Sequence, residues 1–171
     1  LSAYSFDLIQ DSLKKCVEVA VNNHVRVSFD MASMRSVMLY SDEITKLLSK
    51  VDILFLNREE AEAFGYPKGS EQKLIEDLIS IYHVKLVALK QGENGCILGS
   101  EKERITVPAY KVGVLNANGA GDGFAAGLLY GIAKGYDLLT SGKIANYYAS
   151  RIIMQHSTRL NYRIENIEKK I

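Results

Sequence analysis

"NANGAGDGFAAGLLYGI", residues Asn116 to Ile132, sets a carboxylate, Asp122, among closely spaced glycines. Phe124, Leu128 and Ile132 fall four apart, so they mark the core face of a helix that begins close to Gly119. The first N–H groups of a helix have no partner within it, and its dipole favours negative charge there. Glycine at 119 and 121 would let a phosphate reach those N–H groups without meeting a Cβ. The purely structural reading is that Asn118 caps the helix and Asp122 is a first-turn acid complementing the dipole. On these residues alone the two readings stand level.

Known phosphate turns narrow the choice. A Walker-type loop needs Gly-Lys-Ser/Thr after four spacer residues, and this chain has no such run. The dinucleotide turn needs a third glycine at position 124, which is Phe124; Gly123 comes one place too early. An acid beside an anion-binding turn makes chemical sense if it removes the proton from a hydroxyl that attacks the phosphate. The glycines and N–H groups then hold the developing charge while the carboxylate serves the nucleophile.

Working outward from this turn, strands and helices alternate. "VRVSFD", "VDILFL" and "VKLVALK" read as buried strands, separated by amphipathic helices over "SDEITKLLSK" and "EQKLIEDLISIYH". Ser41 or Asp42 is the expected N-cap of the former. "QGENGC" reads as a hairpin turn, since Asn94 and Gly95 both tolerate positive φ, followed by strands in "CILGS" and "EKERITVPAY". Helices are expected from Ala120 to Lys134 and from about Ser141 to Gln155. The order predicts an α/β fold, a three-layer α-β-α sandwich on a largely parallel sheet. In such sheets ligands meet the turns beyond the carboxyl ends of strands. No repeat or Pro/Gly-rich linker divides the chain, so residues 1–171 read as one domain.

Composition agrees with an ordinary globular domain: 171 residues, 47% apolar and 24% charged. A net charge of +1 gives no electrostatic case for nucleic acid or a membrane surface. The pairs Lys14-Lys15 and Lys169-Lys170 read as solvated faces. No apolar run reaches the length of a bilayer span, and no signal-peptide pattern is present. Cys16 and Cys96 lie in apolar periodic segments and read as core thiols of a reducing, cytoplasmic compartment. His24, His83 and His156 lack partners at metal-ligand spacing and are expected at the surface or its boundary.

Two further turns follow strands. In "FLNREEAEAFG", Asn57 and Glu60 have the spacing of a capping box, and also that of a pair able to organise magnesium waters around phosphates. In "KQGENG", Lys90 to Gly95 is a turn that could line a flat nucleotide.

Taken together, "NREE", "KQGENG", "VPAY" and "NANGAGDGFAAGLL" resemble, in order and separation, the motifs of the ribokinase-like (PfkB) family of sugar and nucleoside kinases. "GLLYGIAKGYDL" looks most like the adenosine-kinase-related branch. The resemblance implies Asp122 as general base and the N–H groups of Gly119, Ala120 and Gly121 as an anion hole. It implies Asn57 at the nucleotide phosphates and Glu60 at magnesium through water. Lys90, Gly92 and Gly95 would border ATP, and Asn146 would lie near the adenine or ribose. ATP and Mg2+ are the implied cofactors, and the acceptor is a nucleoside or a sugar. The family places an acid where this chain has Asn116, and that acid helps hold a monovalent cation; Asn116 is thus the potassium candidate, with a neutral amide in place of the charge.

The chain matches only the C-terminal half or so of the family pattern, without the di-glycine substrate motif and lid. The start at Leu1 and the lack of opening strands agree with a fragment, whose sheet would expose an apolar edge. The family often dimerises through the part not represented, so a homodimer is the implied assembly. Against the kinase reading stands a catalytically silent ATP-binding or interaction module, which would have little use for Asp122. An α/β domain whose glycines and caps serve structure alone is the blandest competitor.

Overall fold

The computed structural model describes residues 1–160 and 167–171. Helix α1 (Ser5–Asn22) leads into β1 (Ser28–Asp30), and α2 (Met34–Leu39) with α3 (Ser41–Leu48) cross to β2 (Ile53–Asn57). Helices α4 (Arg58–Ala63) and α5 (Glu71–Ser80) lead to β3 (Leu86–Lys90), which turns back into β4 (Cys96–Ser100) and then β5 (Arg104–Val107). The five strands form one sheet in the order β1-β2-β3-β4-β5. β1 and β2 are parallel, with Ser28, Phe29 and Asp30 opposite Ile53, Leu54 and Phe55. The β3–β4 and β4–β5 connections are too short for a parallel crossover, so β4 runs against both of its neighbours. At the other edge Leu1–Ala3 pairs with β1: the Ala3 N–H donates to the Asp30 carbonyl and the Asp30 N–H to that of Leu1. Ile53 to Leu56 of β2 and Leu86 to Leu89 of β3 are buried without alternation. That is the burial of strands covered on both faces, as the expected sandwich requires.

The residues group into two compact units, Leu1–Leu89 with Gly99–Arg104, and Lys90–Leu98 with Ile105–Ile171. In the first, Phe6, Leu13 and Val17 of α1 are buried, together with Phe29, Ile44, Leu48 and Phe55. Cys16 is exposed, contrary to its expected place in the core. The buried line of α1 runs through Leu13 and Val17, and Cys16 falls beside it rather than on it. Neither Ser41 nor Asp42 caps α3: Tyr40 is the N-cap, closing α2 as it opens α3, and its hydroxyl donates to Asp7 at 2.7 Å. On β4, Gly99 lacks a side chain where Ile75 of α5 packs.

In the second unit the hairpin turn is a 3-10 turn over Gly92–Asn94. Positive φ falls on Gly92 (59°) and Gly95 (87°) and not on Asn94, and the turn stands at its expected position. Helices α6 (Ala120–Ala133) and α7 (Leu138–Ile153) pack face to face. Asp137 caps α7 by accepting the Thr140 N–H at 2.7 Å, and this bond holds its carboxyl below the usual range. The buried face of α6 is Gly123, Phe124, Gly127, Leu128 and Gly131, while Ile132 is only half-buried. A Cβ on Gly127 would stand 2.8 Å from Ala145 Cα and 3.0 Å from the Ile144 carbonyl. One on Gly131 would stand 2.6 Å from Ser141 Oγ. Glycine every fourth residue therefore allows backbone-to-backbone approach.

In an open helix Gly→Ala gains about 1 kcal/mol of propensity. At Gly127 the α7 backbone has to move, so Gly127→Ala is expected to cost a net ~1–2 kcal/mol and to lower Tm by roughly 2–8 °C. Gly113 has open space around it, and Gly113→Ala is expected to leave Tm unchanged. Thermal unfolding of the two variants checks the pair; equal melting temperatures would contradict the packing account.

Candidate active site

The turn into α6 is closed by Gly119, its N-cap, in the left-handed conformation at φ 82°. No side chain caps the helix, so Asn118 does not take the role that the structural reading gives it. Instead the Asn118 N–H donates to Asn116 Oδ1 at 3.0 Å. The first bond inside α6 runs from the Gly123 N–H to the Gly119 carbonyl at 2.9 Å. The N–H groups of Ala120, Gly121 and Asp122 precede it, with no acceptor available in the helix itself. Asp122 is exposed in the first turn.

Two neighbours define the surroundings of this turn. Lys90, at the end of β3, brings its ammonium to 3.5 Å from where a Cβ on Gly121 would stand. An ammonium thus stands beside the opening of α6, next to the partial positive charge of its N–H groups. On the other side a Cβ on Gly119 would stand 2.7 Å from the Thr158 carbonyl and 3.2 Å from Thr158 Cα. Asn116 Nδ2 donates to the His156 carbonyl at 3.0 Å, and the Leu115 N–H to that of Ile153 at 2.8 Å. The segment after α7 is therefore laid against residues 115–119.

The Lys90–Gly95 turn is fastened to the chain beyond β5. The Gln91 N–H donates to the Gly95 carbonyl at 2.8 Å. A Cβ on Gly95 would collide with the Val107 carbonyl and stand 2.7 Å from Ala109 N. Asn146, 6% exposed on α7, donates through Nδ2 to the carbonyls of Val107 and Pro108, each at 3.0 Å. Its amide therefore holds the same backbone that Gly95 rests on. Burial pushes the neighbouring Cys96 thiol up to about 12, with the Asn146 amide 3.7 Å from its sulfur opposing that shift. Cys96 is the buried, unreactive thiol that its apolar surroundings predict. Tyr110 meets Tyr147 edge-on at 5.4 Å, and the Arg151 guanidinium lies over the Tyr147 ring.

In the first unit Asn57 and Glu60 form a complete capping box. Asn57 Oδ1 accepts the Glu60 N–H at 2.9 Å, and Glu60 Oε2 accepts the Asn57 N–H at 2.8 Å. Asn57 Nδ2 also donates to Glu60 Oε1 at 2.9 Å. Glu60 is 2% exposed, and Arg58 pairs with Glu71 at 3.2 Å to tie α4 to α5. The structural reading of this pair is thus realised, and it orients the two side chains rigidly. Among the described residues no group of three or more His, Cys, Asp or Glu is arranged to hold a metal. Magnesium requires no such group, because it keeps most of its waters and shares one or two carboxylates with substrate phosphates; Glu60 is a single buried carboxylate, both of whose oxygens accept from Asn57. Asn116 does not suit a monovalent cation, since one end of its amide accepts a backbone N–H and the other presents a donor.

His24, His83 and His156 are exposed, as their sequence surroundings predict. Among the described residues no helix is long and apolar enough to cross a membrane. Thr158 and His156 are the site neighbours that the sequence left unmarked. Both act through backbone carbonyls, which any residue type supplies.

Residues 8–164 match the model of the pfkB family carbohydrate kinases. A sugar kinase of Archaeoglobus fulgidus, uncharacterised, is 30% identical over 169 residues, covering 92% of this chain and 65% of its own length. A nucleoside kinase of Methanocaldococcus jannaschii is 30% identical over 149 residues, covering 86% of this chain and 47% of its own. The crystal structure of adenosine kinase from Sinorhizobium meliloti superposes with a TM-score of 0.90 at 26% identity, over 99% of this chain and 52% of that one. A probable sugar kinase from Rhizobium etli gives the same TM-score and coverage at 27% identity. The chain thus spans about half to two thirds of the length of the proteins it matches, in a ribokinase-like α/β fold. It belongs to the pfkB family of carbohydrate kinases.

Proposed function

We propose that residues 1–171 act together as the nucleotide-binding and catalytic part of a cytoplasmic kinase. The reaction transfers the γ-phosphoryl of ATP to a hydroxyl of a nucleoside, adenosine-like, or of a sugar. The observation that carries this reading is the opening of α6. Gly119 turns in the left-handed conformation with no side chain capping the helix, the Ala120 N–H makes only a long 3.3 Å bond to the Ala117 carbonyl, Lys90 sets its ammonium beside Gly121, and Asp122 sits in the same turn. A turn built for structure alone needs neither the lysine nor the uncapped N–H groups.

Asp122 takes the proton of the acceptor hydroxyl as its oxygen attacks phosphorus. The N–H groups of Gly119, Ala120 and Gly121 hold the charge that develops on the transferring phosphoryl. Lys90 neutralises part of that charge, and Gly92 and Gly95 let the following turn lie flat against the nucleotide. Asn146 keeps the Val107–Pro108 backbone in place under that turn, close to the base or ribose. Asn57 serves the phosphates and Glu60 holds magnesium through water. Magnesium, when bound, neutralises phosphate charge and orients the donor. A nucleoside is the first acceptor to test, supported by the likeness to the adenosine and nucleoside kinases; a panel of nucleosides and sugars assayed by ADP release decides between them.

Asp122→Asn is expected to lower phosphorylation by ~10²–10⁴-fold, the usual contribution of a general base, with affinity for ATP little changed. A near-normal rate would remove Asp122 from the mechanism. Gly119→Ala meets both the left-handed backbone and the Thr158 carbonyl, so MgATP binding should weaken roughly tenfold or more. Calorimetric titration of wild type and variant checks this, and equal dissociation constants would sink the anion-turn assignment.

A further inference from the structure

We infer that Asn116 is an uncharged brace that joins the phosphate turn to the segment after α7 directly, so that this chain works without a monovalent cation. The inference rests on the kinase reading for its nucleotide readout and on the structure alone for its stability readout.

The orientation of the Asn116 amide is fixed by its partners. Oδ1 accepts the Asn118 N–H at 3.0 Å, which an amide nitrogen could not do. Nδ2 is then the end that faces the His156 carbonyl, also at 3.0 Å, and it donates there. The backbone N–H groups of Leu115 and Asn116 add bonds to the Ile153 carbonyl at 2.8 and 3.3 Å, and Gly119 rests on Thr158. The turn and the segment that covers it are thus joined along residues 115–119 and 153–158.

A carboxylate at position 116 could still accept the Asn118 N–H with one oxygen. Its second oxygen would face the His156 carbonyl with no proton between them, two acceptors in contact. A cation held between the two would relieve that repulsion, because hard cations are bound by converging oxygens. Asn116 removes the need, since its N–H supplies the positive end of the contact. It also removes the means, since a donor points where a cation's ligand would have to be. Asn116 is a positioning residue: it acts on the phosphate turn by fixing the backbone on which Gly119 lies.

The test compares the chain with Asn116→Asp and Asn116→Ala in potassium, sodium and choline chloride at equal ionic strength, which equalises screening. Melting temperature and the dissociation constant for MgATP are read in each. The wild-type chain should give the same values in all three salts. Asn116→Asp should melt roughly 2–4 °C lower in choline chloride and recover in potassium chloride, with a parallel loss and recovery of MgATP affinity. Asn116→Ala should be lowered in all three salts without recovery. A wild-type chain whose Tm or MgATP affinity rises in potassium would overturn the inference, as would variants that melt with the wild type in choline. If no protein binds MgATP in any salt, the kinase reading falls while the melting series still decides the brace.

Discussion

The close approach of α6 and α7 is the constraint on which the rest of the second unit depends. Gly127 brings the α6 backbone against that of Ile144 and Ala145, while Gly123 and Gly131 make room for Ile152 and Ser141 of α7. Because the helices touch backbone to backbone, the chain leaving α7 emerges beside the start of α6. There it presents the carbonyls of Ile153, His156 and Thr158 to residues 115–119. The same helix carries Asn146, whose amide holds Val107 and Pro108, the backbone that Gly95 lies on. Packing between two helices thereby sets both the turn before α6 and the turn after β3.

The charges around this turn follow from the same geometry. A helix start without a side-chain cap and with a nearby ammonium attracts an anion, and a carboxylate alone there would compete with it. Asp122 and Lys90 approach the turn from different elements, one from the helix itself and one from the end of a strand. In the proposed reaction the base and the charge-holding groups therefore serve different oxygens of one transfer. The neutral Asn116 belongs to this arrangement: a further carboxylate at the turn would oppose the phosphate unless a cation accompanied it.

Much of this was legible in the residues. Strand positions followed from runs such as "ILFL" and "LVAL", because burial on both faces leaves an unbroken apolar signal. The Asn57–Glu60 pair and the start of α6 were marked by residue types with few alternative uses. What failed was one-residue bookkeeping. Cys16 lies next to the buried line of α1, and apolar character did not separate it from Leu13 and Val17. Asn94 and Asn118 have the chemistry for positive φ and for capping, but adjacent glycines at 95 and 119 take the left-handed positions at lower cost. Tyr40 caps α3 because it already ends α2, a consequence of two helices abutting that no local preference reports. The carbonyls of His156 and Thr158 left no trace, since their contribution is independent of side chain.

The most direct measurement is a calorimetric titration of the 171-residue chain with ATP, in the presence and absence of magnesium. The account predicts saturable binding at one site that strengthens with magnesium, because the phosphate turn, Lys90 and Glu60 all lie within this chain. A chain that is folded by circular dichroism yet takes up no nucleotide under either condition would contradict it.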